Sequence, residues 1–223
     1  MKITLSILLL YSTLLSNTLT SEYYEINDTK AMKKKFFSFI KHIANIENKK
    51  IMDDRMYIIN NFINKNNRLK SIQKRYGLND DSTLKEHLYI IDIIPLSLVL
   101  AQSAIESGWG KSRFFKKAKN IFGQWTWTGK GLEPLERDLD KKHKIKIFSS
   151  YQESVKAYLI NLNKGWGYKD LRDLREKLRL QNKNLSGLVL APGLIKYSQD
   201  REKYIKLLKY FIKSNNLYKY DNM

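Results

Sequence analysis

The sequence contains no cysteine and only three histidines, 3 prolines and 10 glycines among its 223 residues. Without cysteine it offers no disulfide scaffold, no thiolate zinc site, no iron–sulfur cluster and no cysteine nucleophile. No two of the histidines (His42, His87 and His143) have helical or metal-ligand spacing, so we predict no metal site and no cofactor. An apolar fraction of 43% with 12% aromatic residues excludes collagen-like, low-complexity and wholly disordered chains.

Positive charge greatly exceeds negative charge. Lys and Arg total 41 against 22 Asp and Glu, which gives a formal net charge of +19. Such a surface suits polyanions, among them nucleic acid, acidic lipid headgroups and an anionic cell wall. Arginine reads phosphates and bases better than lysine does, yet it supplies only 9 of the 41 cationic residues. The charge therefore predicts an anionic partner without identifying it.

Residues 1–21 have the three-part layout of a secretory signal. One lysine is followed by an apolar stretch from Ile3 to Leu15 and then by small and polar residues. The apolar stretch is too short to span a bilayer comfortably. We predict cleavage near Thr18 to Ser21, export to the periplasm or cell envelope, and no stable membrane insertion afterwards. An uncleaved anchor or an amphipathic first helix is the alternative.

Helical periodicity dominates the chain after the leader. One helix is predicted over 28–50 with Asp28 as its N-cap. A second helical stretch is predicted over 53–76, ending at Gly77. Its apolar face is expected to contain Met56, Ile59 and Ile63. Thr83 then caps a third helix.

The helical pattern is interrupted once. Over 120–148 aromatic and β-branched residues lead to a Gly-Lys-Gly turn at 129–131, which predicts a small β-hairpin lobe or a long structured loop. Helices resume with a capping box formed by Ser150 and Glu153. A last helix begins at about Asp200. Its buried face is expected to contain Tyr204, Leu207, Leu208 and Phe211. The predicted fold class is therefore mostly α with one short β insertion.

The segment 96–114, LSLVLAQSAIESGWGKSRF, places a carboxylate at the end of an apolar helix. Glu106 lies in the last turn, and Ser107-Gly108 provides a left-handed stop. Partial burial beside Trp109 and the negative end of the helix dipole both disfavour an ionised carboxylate. A carboxylic acid that stays protonated near neutral pH can protonate the leaving oxygen of a glycosidic bond. The alternative is a surface glutamate that caps the helix or pairs with a nearby cation.

The string AQSAIESGWGKSRF followed by NIFGQW resembles the glucosaminidase domain of glycoside hydrolase family 73, and its Bax-like branch in particular. Further matching segments are DIIP (92–95), GLEPLERD (131–138), NLN (161–163) and YSQDREKY (197–204). The resemblance covers roughly residues 80–215. The implied organisation is a signal peptide over 1–21, an N-terminal helical extension over 22–80 and a glucosaminidase catalytic domain over 81–218.

This resemblance implies a lysozyme-like α+β fold, with a helical lobe and a small β-hairpin lobe beside an active-site cleft. It implies an endo-β-N-acetylglucosaminidase that cleaves the β-1,4 bond after N-acetylglucosamine in peptidoglycan, with Glu106 as general acid. Asn120, Phe122 and Gly123 match the family's N-[LI]-F-G turn at the cleft. Tyr197 matches a tyrosine that is implied to position the reaction centre or the substrate acetamido group.

The second carboxylate is less well defined. An inverting glycosidase needs a base roughly 6.5–9.5 Å from the acid. The candidates in the predicted β-lobe are Glu133, Glu136, Asp138 and Asp140. We favour Glu136, because it follows Glu106 by 30 residues, the separation that the family pattern implies. The alternatives are that Glu136 is an ordinary solvated charge, or that the substrate's own acetamido oxygen replaces a protein base.

Trp125 and Trp127 are two positions apart, so on a strand their side chains are expected to share a face. Such rings either stack on sugars in the cleft or form the core of the β-lobe, and we predict a substrate-binding role. Three functions stay open: a peptidoglycan N-acetylglucosaminidase, a lytic transglycosylase, and a catalytically inactive basic module that binds the wall or another polyanion. The partner predicted for a monomeric protein is the peptidoglycan glycan strand, and not nucleic acid.

Overall fold

The structure is a computed structural model that describes residues 18–128, 130–133 and 143–221. The described part of the chain is mostly helical. Its α-helices are α1 Ser21–Tyr24, α2 Thr29–Asn61, α3 Asn67–Tyr76, α4 Leu84–Ile90, α5 Leu96–Ser107, α6 Arg113–Ala118, α7 Tyr151–Lys164, α8 Lys169–Leu180, α9 Gly187–Leu190 and α10 Arg201–Ser214. Short 3-10 helices cover Phe62–Asn64, Trp166–Tyr168, Ala191–Leu194 and Leu217–Tyr220. The strands are β1 Trp125–Thr126, β2 Gly131–Leu132 and β3 Lys144–Lys146.

This composition confirms the predicted mostly α, lysozyme-like class with a small antiparallel sheet. No helix within the described ranges combines the length and the apolar character needed to cross a membrane. The predicted leader falls mainly on residues 1–17, which lie outside the described residues, so the leader stays a prediction.

The chain divides into two compact units. The described residues of the first unit lie within 1–44 and 102–155, and those of the second lie within 45–101 and 156–223. The division falls inside three helices, namely α2, α5 and α7.

The core of the first unit is built from α2, α6, the sheet and the start of α7. It contains the buried side chains of Phe36, Ile40, Ile43, Phe115, Ile121, Ile145, Phe148 and Val155. Asp28 caps α2 as predicted, since its carboxylate accepts the N–H groups of Lys30 and Ala31, both over 3.1 Å.

Helix α2 is longer than the sequence predicted. It continues without a break to Asn61, because the stretch around residues 51–53 contains no glycine or proline to end it. The interruption comes instead at a 3-10 turn and at Lys65, whose φ is +34°. The predicted apolar face was wrong as well. Met56, Ile59 and Ile63 are 47%, 44% and 91% exposed, whereas Ile51 and Ile58 are buried.

The three strands form one sheet in the order β1-β3-β2, with β3 antiparallel to both neighbours. Strands β1 and β2 thus do not pair with each other, and the sheet is not the simple hairpin of consecutive strands that the sequence suggested. Ile145 on β3 stands opposite both Trp125 and Leu132. A side chain at Gly131 would meet the Lys144 Cβ at 2.6 Å, so this close pairing requires glycine.

The second unit is helical, and several of its helix ends follow local signals. Gly77 ends α3 in the left-handed conformation with φ +70°. Thr83 and Glu86 form a capping box on α4. On α10, the predicted burial of Leu207 was wrong. This residue is 46% exposed, and the face turned to the core contains Tyr204, Ile205, Leu208 and Ile212.

Candidate active site

Glu106 is the penultimate residue of α5 and is half-buried. The centre of the helix is apolar, and Leu98, Val99, Leu100 and Ala101 are fully buried; Gln102 and Ser103, which follow them, are buried as well. The structure thus places a carboxyl group where a buried helix reaches its carbonyl end. A side chain at this position meets the negative pole of the helix.

The end of α5 is a Schellman motif. The Trp109 N–H donates to the Ala104 carbonyl over 3.0 Å, and the Gly108 N–H donates to the Ile105 carbonyl over 3.4 Å. Both hydrogen bonds span the position of Glu106. The predicted left-handed stop is confirmed, since Gly108 has φ +55°.

The left-handed conformation continues beyond the stop. Trp109 has φ +59° and Gly110 has φ +74°, so three consecutive residues share this conformation. Glycine adopts it freely, whereas for an L-residue such as Trp109 it is unfavourable by roughly 1–2 kcal/mol. Strained backbone of this kind persists only where the surrounding structure holds it, and it clusters at functional sites.

The Ser107 hydroxyl ties the turn back to the helix. It donates to the Ser103 carbonyl over 2.6 Å and accepts the Gly110 N–H over 2.8 Å. The Ser112 N–H donates to the Ser107 carbonyl over 2.9 Å, and the Ser112 hydroxyl caps α6 by accepting the Phe115 N–H over 3.1 Å. Hydrogen bonds between residues 103 and 115 therefore hold the connection from α5 to α6.

Asn120 holds the loop that leads from α6 to the sheet. It is 1% exposed. Its amide NH2 donates to the Gln124 and Lys146 carbonyls, both over 2.9 Å, and its carbonyl oxygen accepts the Gln124 N–H over 3.0 Å. Both amide hydrogens thus bind backbone, and the side chain fixes the loop carrying Phe122 and Gly123. Phe122 is buried, and Gly123 adopts φ +66°.

Two exposed indole rings stand on β1 and just after it. Trp125 is 51% exposed and Trp127 is 72% exposed. Their ring centroids are 6.2 Å apart in an edge-to-face arrangement. His143 stacks on Trp125 at 4.1 Å. The rings therefore do not form the buried core of the β-lobe, which was the alternative to a binding role.

Of the four candidates for a second carboxylate, the structure describes Glu133 only. Its carboxylate lies 3.4 Å from the Lys144 ammonium, and its carbonyl accepts a hydrogen bond from Arg113. Glu136, our candidate base, lies outside the described residues, as do Asp138 and Asp140. The base assignment stays a prediction.

Tyr197 belongs to the second unit. It stacks on Tyr204 with centroids 5.5 Å apart and lies 6.2 Å from the Tyr168 ring. Tyr197 is half-buried, whereas Tyr204 is 7% exposed and belongs to the core, as its helical spacing indicated. The other site residues that the structure describes lie in the first unit: Glu106, Asn120, Phe122, Gly123, Trp125 and Trp127.

A cavity of about 430 Å³ lies in the second unit. It is lined by Arg55, Leu84, Lys85, Leu88, Tyr89, Asp92, Arg175, Glu176, Arg179 and Leu180. None of these is a predicted site residue, and the cavity plays no part in the site described above. Across the three described ranges, no group of three or more His, Asp or Glu side chains is arranged to hold a metal ion.

Sequence reasoning missed the N-terminal residues that surround Trp109. Tyr23 donates to the Trp109 carbonyl, and Phe36 and Phe37 contact its indole ring. The paired aromatics of 23–24 and 36–37 are visible in the sequence. Nothing local shows that they meet a turn more than 70 residues further along the chain.

The described residues thus form a mostly helical, lysozyme-like fold with a small antiparallel sheet, and a half-buried carboxyl group stands at the end of one of its apolar helices. The family model described as mannosyl-glycoprotein endo-beta-N-acetylglucosaminidase matches residues 81–217. The chain belongs to this glucosaminidase family, as the sequence motifs indicated.

The relative Protein bax of Escherichia coli (strain K12) is 33% identical over 145 residues, which are 61% of this chain and 50% of that protein. The chain thus spans about half the length of this curated relative. The predicted resemblance to the Bax-like branch is confirmed. No solved structure matches the chain with significance.

Proposed function

We propose that the protein is a peptidoglycan hydrolase, an endo-β-N-acetylglucosaminidase that cleaves the β-1,4 bond after N-acetylglucosamine. The observation that carries this proposal is the half-buried Glu106 in the last turn of α5, in a chain that belongs to the glucosaminidase family. The family match supports the general statement that the chain contains a glycoside hydrolase domain. The substrate, the bond and the residue roles are our inference.

Glu106 is the general acid in this proposal. The carbonyl end of α5 disfavours the ionised carboxylate, and partial removal from water acts in the same direction. The protonated group donates its proton to the glycosidic oxygen as the bond to the leaving sugar breaks. The Schellman motif, with the hydrogen bonds of Ser107, keeps the helix end in one conformation, so the acid is preorganised.

A second group completes the reaction on the other face of the sugar. We assign Glu136 as the base that activates water. In the alternative, the acetamido oxygen of the substrate attacks the anomeric carbon and no protein base is needed. Tyr197 is assigned to positioning the reaction centre or the acetamido group.

The exposed rings of Trp125 and Trp127 provide the sugar-binding surface. Aromatic faces pack against the apolar C–H faces of sugars, and more than half of each indole is exposed. His143 stacks on one face of Trp125, so the surface for sugars consists of Trp127 and the remaining face of Trp125. Asn120 contributes by fixing the loop that carries Phe122 and Gly123, because its amide hydrogens already bind backbone.

The proposed setting is the periplasm or cell envelope, which the protein reaches through its leader. The monomeric enzyme needs no cofactor, and its partner is the glycan strand rather than nucleic acid. The net charge of +19 favours attachment to an anionic wall.

Replacing Glu106 by glutamine tests the proposed acid. Glutamine keeps the shape of the side chain but has no transferable carboxyl proton. We expect Glu106→Gln to reduce turnover on purified sacculi by about 10²–10⁴-fold, the usual contribution of a general acid. Circular dichroism and thermal unfolding should match the wild type. Glu202→Gln, which changes an exposed glutamate of α10, is the control and should remain fully active.

Mass spectrometry of the products separates the proposed reaction from the alternatives. New reducing N-acetylglucosamine ends support the glucosaminidase, whereas anhydromuramyl ends identify a lytic transglycosylase. A Glu106→Gln variant that lyses sacculi as fast as the wild type would falsify the acid assignment. A wild type that binds sacculi without cleaving them identifies a binding module. With Glu136→Gln, a milder loss than with Glu106→Gln indicates the acetamido mechanism.

A further inference from the structure

Residues of α1 form hydrogen bonds to the turn that follows Glu106. The Tyr23 hydroxyl donates to the Trp109 carbonyl oxygen over 2.6 Å, and Tyr23 is only 1% exposed. The Tyr24 hydroxyl donates to the Gly110 carbonyl oxygen over 3.2 Å. Two successive carbonyls of the left-handed turn thus receive hydrogen bonds from two successive tyrosines.

The indole ring of Trp109 is contacted by α2. Phe36 and Phe37 meet it edge-on, with centroids 5.6 and 5.1 Å away. The Lys33 ammonium lies 5.0 Å from the ring centroid. Edge-to-face ring pairs and cation–π contacts both stabilise such an arrangement. These contacts, together with Tyr23, hold Trp109 in a conformation that an L-residue adopts only under constraint.

These supports come from outside the part of the chain that matches the family. The match begins at residue 81, whereas Tyr23, Tyr24 and the first half of α2 lie in the predicted extension 22–80. The extension therefore has a structural connection to the end of α5 that the matched domain does not supply by itself.

Both backbone polar groups of Trp109, the N–H and the carbonyl, form hydrogen bonds. Its N–H donates to the Ala104 carbonyl within the Schellman motif, and its carbonyl accepts the Tyr23 hydroxyl. Glu106 lies between Ala104 and Trp109, so the conformation of this segment sets where the carboxyl group sits. Burial, followed by the neighbouring Tyr24, raises the pKa of Tyr23 to about 12, and the hydroxyl therefore remains a donor throughout the neutral range.

We propose that Tyr23 is a positioning residue for Glu106: its hydroxyl fixes the Trp109 carbonyl and, through it, the last turn of α5. The catalytic consequence rests on the proposed function, whereas the effect on the turn does not. Tyr23 touches no reacting atom in this proposal and acts through the backbone alone.

The test is Tyr23→Phe in the full chain, which removes the hydroxyl and keeps the ring. Tyr151→Phe is the matched control. Tyr151 is also buried in the first unit, where it stacks on Phe115. We expect amide hydrogen exchange over 107–112 to become about fivefold faster in Tyr23→Phe, the effect of one ordinary hydrogen bond. The Tyr151→Phe variant should exchange like the wild type in this segment.

Kinetics on solubilised glycan strands give the second measurement. A displaced acid affects the transition state more than substrate binding, so kcat should fall about tenfold while KM stays within about twofold. The pH profile of kcat should shift as well, because the environment of the carboxyl changes. A purely structural loss would lower the thermal transition and leave the kcat of the folded fraction and its pH profile unchanged.

The proposal is overturned if exchange over 107–112 is unchanged, or if exchange accelerates while kcat and the pH profile stay those of the wild type. If the wild type cleaves no glycan, the proposed function fails, and the exchange result alone decides whether Tyr23 fixes the turn. Should Tyr23→Phe not fold, Lys33→Met acts on the same tryptophan from a partly exposed position. It should accelerate exchange in the same segment by a smaller factor, and an unchanged rate counts against the proposal.

Discussion

At the scale of single residues, Asp92 is a buried charge of the second unit that several arginines surround. It is 1% exposed. Arg179 donates to both carboxylate oxygens, over 2.9 and 2.8 Å, and Arg55 lies 3.7 Å away. Arg175, also 1% exposed, donates to the Asp92 backbone carbonyl over 3.1 Å. One buried carboxylate therefore compensates the buried guanidinium group of Arg175 and the partly exposed ones of Arg55 and Arg179.

The pKa of Asp92 reflects this competition. Burial by itself would raise the pKa, but the hydrogen bonds from Arg179 and the charges of Arg175 and Arg55 outweigh it and hold the pKa below its ordinary value. A carboxyl whose pKa is lower in the folded state stabilises the fold above its unfolded pKa, near 3.9. This contribution is lost as the pH falls through the folded pKa.

Asp92→Asn should therefore destabilise the protein by about 3–5 kcal/mol at neutral pH, because it leaves the buried guanidinium group of Arg175 without its counter-charge. Urea unfolding measures the loss. The difference from the wild type should begin to shrink below about pH 4, where the Asp92 carboxylate of the unfolded chain becomes protonated, and it should vanish only below the lower pKa of the folded state. Asp173→Asn is the control. Asp173 pairs with the exposed Lys169 over 2.7 Å, and its loss should amount to less than about 1 kcal/mol.

A stability difference between Asp92→Asn and the wild type that stays constant from neutral pH to about pH 3 would contradict this account, since the ordinary carboxyl pKa lies inside that interval. Equal losses of stability in Asp92→Asn and Asp173→Asn would also contradict it.

At the scale of elements, the packing of α8 against the 3-10 helix Ala191–Leu194 depends on one glycine. A Cβ built on Gly193 would lie 2.3 Å from the Leu171 Cα and 2.4 Å from the Leu171 nitrogen. These are backbone atoms of α8, so relief requires one element to move away from the other. Gly77 is a different case. It has φ +70° but open space around an added Cβ.

The two glycines should respond differently to alanine. Gly77→Ala places an L-residue in the left-handed conformation without a clash, for a loss of about 1–2 kcal/mol. Gly193→Ala forces two packed elements apart, and we expect a loss of about 3 kcal/mol or more. Thermal and urea unfolding of both variants show whether Gly193→Ala loses more stability than Gly77→Ala. Equal losses would show that the elements separate more easily than the packed geometry indicates.

At the scale of the whole molecule, the net charge of +19 acts over distances that individual contacts do not. Screening by salt tests its role in wall attachment, since the Debye length falls from about 10 Å at 0.1 M to about 3 Å at 1 M salt. We expect the fraction of protein that sediments with purified sacculi to fall severalfold over this range. Glu106→Gln should sediment like the wild type, because the proposed acid is not part of the electrostatic attachment.

Thermal unfolding in the same salt solutions serves as the control for the fold. Sedimentation that does not depend on salt would mean that short-range contacts, and not the general charge, attach the protein to the wall.

The sequence by itself determined those features whose physics is local. Asp28, Thr83 and Gly77 mark helix ends because a cap or a left-handed residue acts on groups within a few residues. The left-handed stop after Glu106 is also a local signal of this type. The family motifs indicated the class of protein. The leader and Glu136 stay predictions, because their residues lie outside the described ranges.

The tertiary structure alone decided what depends on distant parts of the chain. Packing partners decide which face of α2 is buried and place β3 between β1 and β2. No local sequence pattern identifies these partners. The contact of Tyr23 with Trp109 joins residues 86 positions apart. A capping signal acts through hydrogen bonds that the neighbouring backbone must make, whereas a long-range contact exists only after the chain has brought two surfaces together.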